Sequence, residues 1–225
     1  NVDGTARLLD ALRQYGKALE HFIFISSTAA AGPSDSPEQL KTEEQPCTPV
    51  SHYGASKLKA EELVRECPLD WTIIRLPLVF GPYDYDMLAM FRFAKRGRIA
   101  LFTDPGDPYS YTSAPDVGRF FLQAIGNKRL FRNVFHYCYD TPMSGNEFFL
   151  VVRRELGLPE RYRYFRVPRW VAYPARFILD LRQRISGRTT IVNPDKIAEL
   201  AAFHWIFSNV KIKTALGVET IKNER

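Results

Sequence analysis

Tyr53 and Lys57, a tyrosine and a lysine four residues apart, form the residue pair in this sequence best suited to acid–base chemistry. On a helix this spacing puts both side chains on the same face, one turn apart. An ammonium group near a phenol favours the phenolate and lowers the pKa of the tyrosine. The pair therefore predicts a general acid/base at Tyr53 for interconverting a hydroxyl and a carbonyl group at neutral pH. The alternative is a surface pair, since the same spacing also arises by chance in helices.

Hydroxyl side chains stand where a neighbouring strand is expected to end. The apolar run Phe22–Ile25 is followed directly by Ser26, Ser27 and Thr28. Ligands bind at the carboxyl ends of strands in open α/β sheets. A hydroxyl there, from Ser27 or Thr28, would hydrogen-bond a substrate oxygen and hold it for proton transfer from Tyr53. A simple strand-terminating turn is the alternative explanation.

The elements that must position these side chains alternate between helix and strand. The periodicity predicts helices at Val2–Tyr15 and Tyr53–Glu66, and the apolar runs predict strands at Phe22–Ile25 and Trp71–Val79. Strands that are apolar on both faces are typical of a parallel sheet with helices on both sides. The alternation predicts an α/β fold with the C-terminal part of a Rossmann-type doubly wound parallel sheet.

The character of the sequence changes after Gly81 and Pro82, where proline and tyrosine cluster and shorter elements follow. We place a domain boundary near residue 80, with residues 1–80 as the second half of the doubly wound domain. Residues 81–225 then form a smaller mixed α/β domain that binds the substrate. Its predicted helices are Met87–Arg96, Asp116–Ile125, Gly145–Leu156, Pro168–Ile185 and Asp195–Ala201, and its predicted strands are Ile99–Phe102 and Phe135–Tyr139.

The composition excludes several classes of protein. An aromatic content of 13% in 225 residues argues against intrinsic disorder, and no apolar run is long enough for a membrane-spanning helix. The 3 cysteines are far apart and the 4 histidines lack ligand spacing, so we expect neither disulfides nor a metal site. The scattered cysteines favour a reducing, cytoplasmic setting, and a net charge of +6 without a nucleic-acid-binding motif favours a protein with no nucleic-acid partner.

Four motifs resemble those of the extended short-chain dehydrogenase/reductase family. That family includes NAD-dependent epimerases and dehydratases and the 3β-hydroxysteroid dehydrogenases. The motifs, in the family order and spacing, are Asn1–Thr5, Phe24–Thr28, Tyr53–Lys57 and Arg75–Pro82. The segments Tyr111–Val117, Phe203–Phe207 and Lys213–Gly217 resemble later landmarks of the family, so the resemblance spans nearly the whole chain.

The resemblance implies a role for each matching residue. Tyr53 would donate or accept the proton, while Lys57 would bind the nicotinamide ribose of NAD or NADP and lower the pKa of Tyr53. Ser27 would orient the substrate, with Thr28 as a neighbour able to replace it. The other cofactor-binding positions that the resemblance implies are Pro77, Leu78 and Val79, which would border the nicotinamide ring, and Asn1, which falls near the asparagine that supports the proton relay.

The sequence departs from the family pattern in two ways. Ala31 stands where many relatives carry tyrosine before the glycine at Gly32. A dinucleotide also needs closely spaced glycines at a strand-to-helix turn, yet no two glycines here stand closer than Gly118 and Gly126. We therefore expect an N-terminally truncated sequence whose absent segment holds the phosphate loop and decides between NAD and NADP. We expect these residues alone to be inactive, and to be poorly soluble or to depend on the absent segment.

The substrate is the least determined property. The stretch Pro168–Ile185 has apolar residues at helical spacing among basic ones, and Phe203–Phe207 looks more like the sterol branch than the sugar branch. These features favour a hydrophobic, sterol-like small-molecule substrate, and they leave open contact with a membrane surface and a homodimer. The basic cluster Arg92–Arg98 supports the alternative of a nucleotide-sugar epimerase or dehydratase. A non-catalytic binding or regulatory relative is the remaining alternative.

Overall fold

The computed structural model describes residues 1–16, 18–101, 106–166, 195, 198–199, 202 and 204–222. The predicted helix at 168–185 and most of the one at 195–201 lie outside these residues. The helices are α1 (Val2–Tyr15), α2 (Thr28–Ala31), α3 (His52–Arg65), α4 (Tyr85–Arg96), α5 (Ala114–Ala124), α6 (Gly145–Glu155) and α7 (Val210–Leu216), with a 3-10 helix at Lys128–Leu130. The strands are β1 (Phe22–Ser27), β2 (Trp71–Leu76), β3 (Leu78–Phe80), β4 (Arg98–Leu101), β5 (Pro108–Tyr109), β6 (Tyr111–Ser113), β7 (Asn133–His136), β8 (Met143–Ser144) and β9 (Arg163–Arg166).

A three-stranded parallel sheet in the order β1-β2-β7 forms the centre of the fold. Phe22 pairs with Trp71, and Thr72 pairs with Asn133. The sheet confirms the predicted Rossmann-type α/β fold, in which helices connect parallel neighbours. Because β7 lies beyond residue 80, the sheet includes residues from both sides of the predicted domain boundary, and the two-domain division stays a prediction.

Apolar side chains cover both faces of this sheet, which is why β2 is buried at every residue. On one face Leu9 and Val64, from α1 and α3, pack with Ile73 of β2. On the other face Ile74 and Phe135 pack against residues of α5 and α7, among them Phe120 and Ile212. Burying each such side chain contributes about 1.5–3 kcal/mol to folding.

The sequence prediction of one strand over Trp71–Val79 is wrong, because the strand is divided at Pro77. Proline has no backbone N–H to donate to a neighbouring strand. After Pro77 the chain leaves the central sheet, and β3 pairs with β6, with Leu78 opposite Tyr111. The predictions of helices at α1, α3, α4, α5 and α6 are confirmed to within a few residues at each end.

Strand β1 is an edge of the central sheet in the part of the chain that the structure describes. Ile25 on this strand is 49% exposed, although it belongs to an apolar run. Together with Ile23, Phe121 and Ile125 it lines an open apolar pocket. Exposed apolar surface at this edge agrees with the sequence prediction. Within the described residues, no helix combines the length and apolar character that a membrane-spanning segment requires.

Candidate active site

Ser27 is both the last residue of β1 and the N-cap of α2. Its backbone is extended, and its Oγ accepts a hydrogen bond from the Ala29 amide at 3.1 Å, which is a typical N-cap contact. The hydroxyl therefore lies at the carboxyl edge of the sheet and still has its proton to donate. The side chain of Thr28, the other predicted candidate, is buried, so Ser27 is the more accessible hydroxyl.

Tyr53 lies in the first turn of α3, directly opposite Ser27. Helix α3 begins at this point because the Ser51 side chain accepts a hydrogen bond from the Gly54 amide at 2.9 Å. The Tyr53 side chain is 41% exposed, and it lies close enough to the Ser27 side chain for that hydroxyl to lower the pKa of Tyr53. The structure thus brings together two residues that lie 26 positions apart in the chain and that the sequence analysis selected independently.

The pKa of Tyr53 is raised above that of a free tyrosine. Burial raises it most, because the ionised phenolate loses hydration, and the Glu199 carboxylate raises it further. The hydrogen bond from Ser27 acts in the opposite direction, since it stabilises the phenolate. At neutral pH Tyr53 is therefore protonated, which is the form that donates a proton.

Lys57 lies one turn further along α3, and its ammonium faces the end of β1. Its Nζ donates to the Ile25 carbonyl oxygen at 3.0 Å and lies 5.2 Å from the centre of the Phe24 ring. Burial lowers the pKa of Lys57, while the Glu61 carboxylate raises it. The sequence analysis expected Lys57 to lower the pKa of Tyr53. The ammonium instead contacts Ile25, and burial leaves the pKa of Tyr53 raised.

The remaining predicted cofactor-binding residues border the same edge of the sheet. Ser27 pairs with Leu76, so Pro77 follows at the level of the Ser27 hydroxyl. Leu78 is 44% exposed and Val79 is partly buried. Asn1 contacts α3, because its side-chain amide nitrogen donates to the Ser56 hydroxyl at 2.9 Å.

The carboxylates of two residues far along the chain accept hydrogen bonds from the start of α3. The Asp195 carboxylate accepts hydrogen bonds from the backbone amides of His52, at 3.3 Å, and Tyr53, at 2.8 Å. The Glu199 carboxylate accepts a hydrogen bond from the Ser51 hydroxyl at 2.8 Å. Negative charge is favourable at a helix N-terminus, where backbone amides point outward. The sequence analysis assigned these residues to a helix but gave them no role in the site.

A buried ionic cluster beneath the site was also missed. Glu61 is fully buried on α3, and Arg75 is 1% exposed in the middle of the sheet. Arg75 Nε and Nη2 donate to the two carboxylate oxygens of Glu61 at 2.9 and 2.7 Å. A charged residue inside the otherwise apolar run of β2 was the available signal.

The residues at this edge fit one end of a dinucleotide. The Lys57 ammonium has three donors, of which the structure describes one hydrogen bond, to Ile25, so it can also donate to ribose hydroxyls. The Tyr53 hydroxyl and Pro77–Val79 lie at the same edge, where a nicotinamide ring would be bordered. The sequence holds no closely spaced glycines to approach a pyrophosphate.

Rossmann-type sheets bind dinucleotides at the carboxyl ends of their strands, and Ser27, Tyr53 and Lys57 lie at this edge of the sheet. The model of the NAD dependent epimerase/dehydratase family matches residues 1–135, more than half of the chain. The chain belongs to this NAD-dependent family.

Individual relatives agree with this family. The chain is 27% identical over 215 residues to N-acetyl-alpha-D-glucosaminyl-diphospho-ditrans,octacis-undecaprenol 4-epimerase of Escherichia coli O157:H7, covering 90% of this chain and 61% of the relative. The fold matches UDP-glucose 4-epimerase of Thermotoga maritima with UDP-glucose, with a TM-score of 0.70, 22% identity and coverage of 96% and 63% of the two chains. It also matches UDP-glucuronic acid 4-epimerase of Bacillus cereus in complex with UDP-glucuronic acid and NAD, with a TM-score of 0.72, 16% identity and coverage of 99% and 62%. The chain therefore spans about three fifths of the length of these relatives.

Proposed function

We propose that this chain provides the acid–base part of an NAD-dependent epimerase or dehydratase whose substrate is a sugar linked to a diphosphate. The observation that carries the proposal is the proximity of the Ser27 and Tyr53 side chains, with Lys57 one turn further on the same helix. The names of the relatives specify 4-epimerases acting on sugars linked to a diphosphate or a nucleotide. They favour the nucleotide-sugar alternative of the sequence analysis over a sterol-like substrate.

The chemistry of this chain is a proton transfer at one substrate oxygen. NAD, when bound, accepts and returns a hydride at the carbon that carries this oxygen. Tyr53 removes the proton from the substrate hydroxyl as a phenolate and returns it to the carbonyl oxygen as a phenol. Ser27 lies beside Tyr53 and holds the substrate oxygen within its reach.

Lys57 has two tasks in this account. Its ammonium binds the ribose hydroxyls of the cofactor and thereby holds the nicotinamide beside Tyr53. Because burial raises the pKa of Tyr53, the phenolate also needs a nearby positive charge, and Lys57 lies on the same helical face. A dehydratase reaction begins, like epimerisation, with oxidation of a substrate hydroxyl group to a carbonyl group. The same residues therefore serve an epimerase or a dehydratase.

We place the pyrophosphate end of the cofactor on a further α/β segment that pairs with the open edge of β1. Three observations support this placement. The edge of β1 is unpaired within the described residues, and Ile23 and Ile25 line an apolar pocket beside it. The sequence lacks a glycine-rich phosphate loop. The chain covers only 61% and 63% of the length of two such relatives.

A product analysis tests the proposal. The protein isolated from its native source is incubated with NAD and, in separate reactions, UDP-glucose, UDP-N-acetylglucosamine, UDP-glucuronic acid and a sterol alcohol. We expect at least one of the three sugar nucleotides to yield its C4 epimer, or a 4-keto-6-deoxy sugar, on anion-exchange chromatography. Oxidation of a sterol alcohol with none of the three sugars converted would contradict the proposed substrate class. No turnover of either class would support the non-catalytic alternative.

A further inference from the structure

Three polar residues form a row across one face of the central sheet, directly below the site. Ser26, Arg75 and His136 occupy paired positions on β1, β2 and β7. Residues paired in a parallel sheet point to the same face, so this row faces α3. The paired positions two residues earlier, including Phe24 and Ile73, lie on the same face and are apolar. The change from apolar to polar residues on this face therefore occurs at one level, near the ends of the strands.

Glu61 is the residue of α3 that meets this row, and all of its hydrogen bonds go to the row or to its own helix. Oε1 accepts from the Ser26 hydroxyl at 2.6 Å and from Arg75 Nε at 2.9 Å. Oε2 accepts from Arg75 Nη2 at 2.7 Å and from Arg65 Nη2 at 3.1 Å. A carboxylate with four donors around it has little capacity left for a fifth.

The position of Glu61 on the helix connects this cluster to the acid–base pair. Tyr53, Lys57 and Glu61 follow each other at intervals of four residues, so they lie along one face of α3. A lysine four residues before a glutamate is a natural ion-pair partner for it. In this structure Lys57 contacts Ile25, while the bidentate contact with Arg75 occupies Glu61.

We propose that Arg75 is a positioning residue, which holds Glu61 so that Lys57 faces the active site instead of pairing with the carboxylate four residues further on. The consequence for catalysis rests on the proposed function, in which Lys57 binds the cofactor ribose. The contact also fixes the rotation of α3 relative to β1 and β2, and so keeps Tyr53 opposite Ser27. Arg75 touches neither the substrate nor Tyr53, and it acts only through Glu61.

The test is the pKa of Lys57, measured by 13C NMR of the lysine Cε groups in the protein as it exists in its native source. A Lys57→Arg variant identifies the Lys57 signal by its loss. In Arg75→Met we expect the pKa of Lys57 to rise by about 0.5 or more, a change of about threefold in its acid dissociation constant, because Glu61 then pairs with it. In Arg75→Met/Glu61→Gln we expect the rise to disappear.

A control separates positioning from a general loss of structure. Thr72 is also fully buried on β2, but its hydroxyl donates to the Leu130 carbonyl at 2.8 Å, away from α3. Thr72→Val should therefore leave the pKa of Lys57 unchanged. If Arg75→Met does not fold, Arg75→Lys keeps the charge but loses the bidentate geometry, and we expect a smaller rise in the same direction.

Three results would overturn the proposal. These are an unchanged Lys57 pKa in a folded Arg75 variant, an equal rise in Thr72→Val, or a rise that persists in the double variant. Because the readout is a lysine ionisation and not turnover, it is independent of whether the protein is an epimerase. Failure of the proposed function would appear in the product analysis and would leave this result standing.

Discussion

Gly54 and Ala29 are in direct backbone contact, and this contact sets the distance between the two helices of the site. A Cβ atom on Gly54 would lie 2.3 Å from the Ala29 carbonyl oxygen, which is too close for any side chain. Only glycine lets the first turn of α3 approach α2 this closely. The adjoining residue Tyr53 is thereby brought to Ser27, which caps α2.

Replacing Gly54 by alanine should separate Ser27 from Tyr53. We expect Gly54→Ala to lower the free energy of unfolding by about 1–3 kcal/mol, because α3 must move away from α2. Gly118→Ala is the matched control, since Gly118 lies inside α5 with nothing within 4 Å of an added Cβ. It should stabilise the protein by about 0.5–1 kcal/mol. Urea unfolding measures both, and equal effects would contradict the contact described here.

The ionisation of Tyr53 should respond in opposite directions to changes at its two polar neighbours. Glu199→Gln removes a negative charge, so the pKa of Tyr53 should fall. Ser27→Ala removes the hydrogen bond that stabilises the phenolate, so the pKa should rise. Tyrosine Cζ NMR measures both values, with Tyr53→Phe identifying the signal. Shifts in the same direction in the two variants would disagree with this site geometry.

His136 should make folding sensitive to acid. Burial, followed by the charge of Arg75, lowers the pKa of His136 from 6.5 to about 3. The unfolded chain binds this proton near pH 6.5 and the folded chain does not, so the stability contributed above pH 6.5 is lost as pH falls towards 3. The maximum slope for one proton is about 1.4 kcal/mol per pH unit.

The variant that tests this effect is His136→Leu. It should lose less stability than the wild type between pH 7 and pH 5 in urea unfolding, whereas His52→Gln, at an exposed position, should behave like the wild type. The raised pKa of buried Glu43 acts in the opposite sense, so the comparison is between variants and not between absolute curves. An identical acid response in His136→Leu and the wild type would show that another group is responsible.

Cofactor binding should be weak in these 225 residues. In the proposed site Lys57 and Pro77–Val79 would contact one end of a dinucleotide, while the glycines that would hold the pyrophosphate are absent from the sequence. We expect no saturation in a fluorescence titration with micromolar NADH. Saturable binding that is lost in Lys57→Met would show that other residues hold the phosphates, and our placement of that end of the cofactor would be wrong.

The central sheet and its helices could be predicted from the sequence because their signals are local. The helix Val2–Tyr15 has a regular apolar face and ends at Gly16, and the structure has the same bounds. The strand Phe22–Ser27 is a continuous apolar run followed by hydroxyl residues. The prediction of one strand over Trp71–Val79 missed the break at Pro77. Proline shows only that the hydrogen-bonded ladder of β2 cannot continue, and it does not show that the next residues pair with β6.

The supporting contacts of the site could not be predicted, because they join residues far apart in the chain. Nothing near Tyr53 shows that Asp195 and Glu199 hold the start of its helix. The role of Gly54 depends on the approach of α2, which only the tertiary fold determines. The motif therefore predicts which residues carry the acid–base chemistry, while the direction of the shift in the Tyr53 pKa depends on burial that only the fold determines.

The most direct test of the account is the turnover of Tyr53→Phe, measured with the sugar nucleotide that the product analysis identifies. We expect kcat to fall at least about a hundredfold, since general acid–base catalysis contributes on this scale, while the unfolding midpoint stays near that of the wild type. Tyr15→Phe, at a tyrosine that is 77% exposed, is the control and should keep full activity. Undiminished turnover in a folded Tyr53→Phe protein would contradict the assignment of Tyr53 as the acid/base.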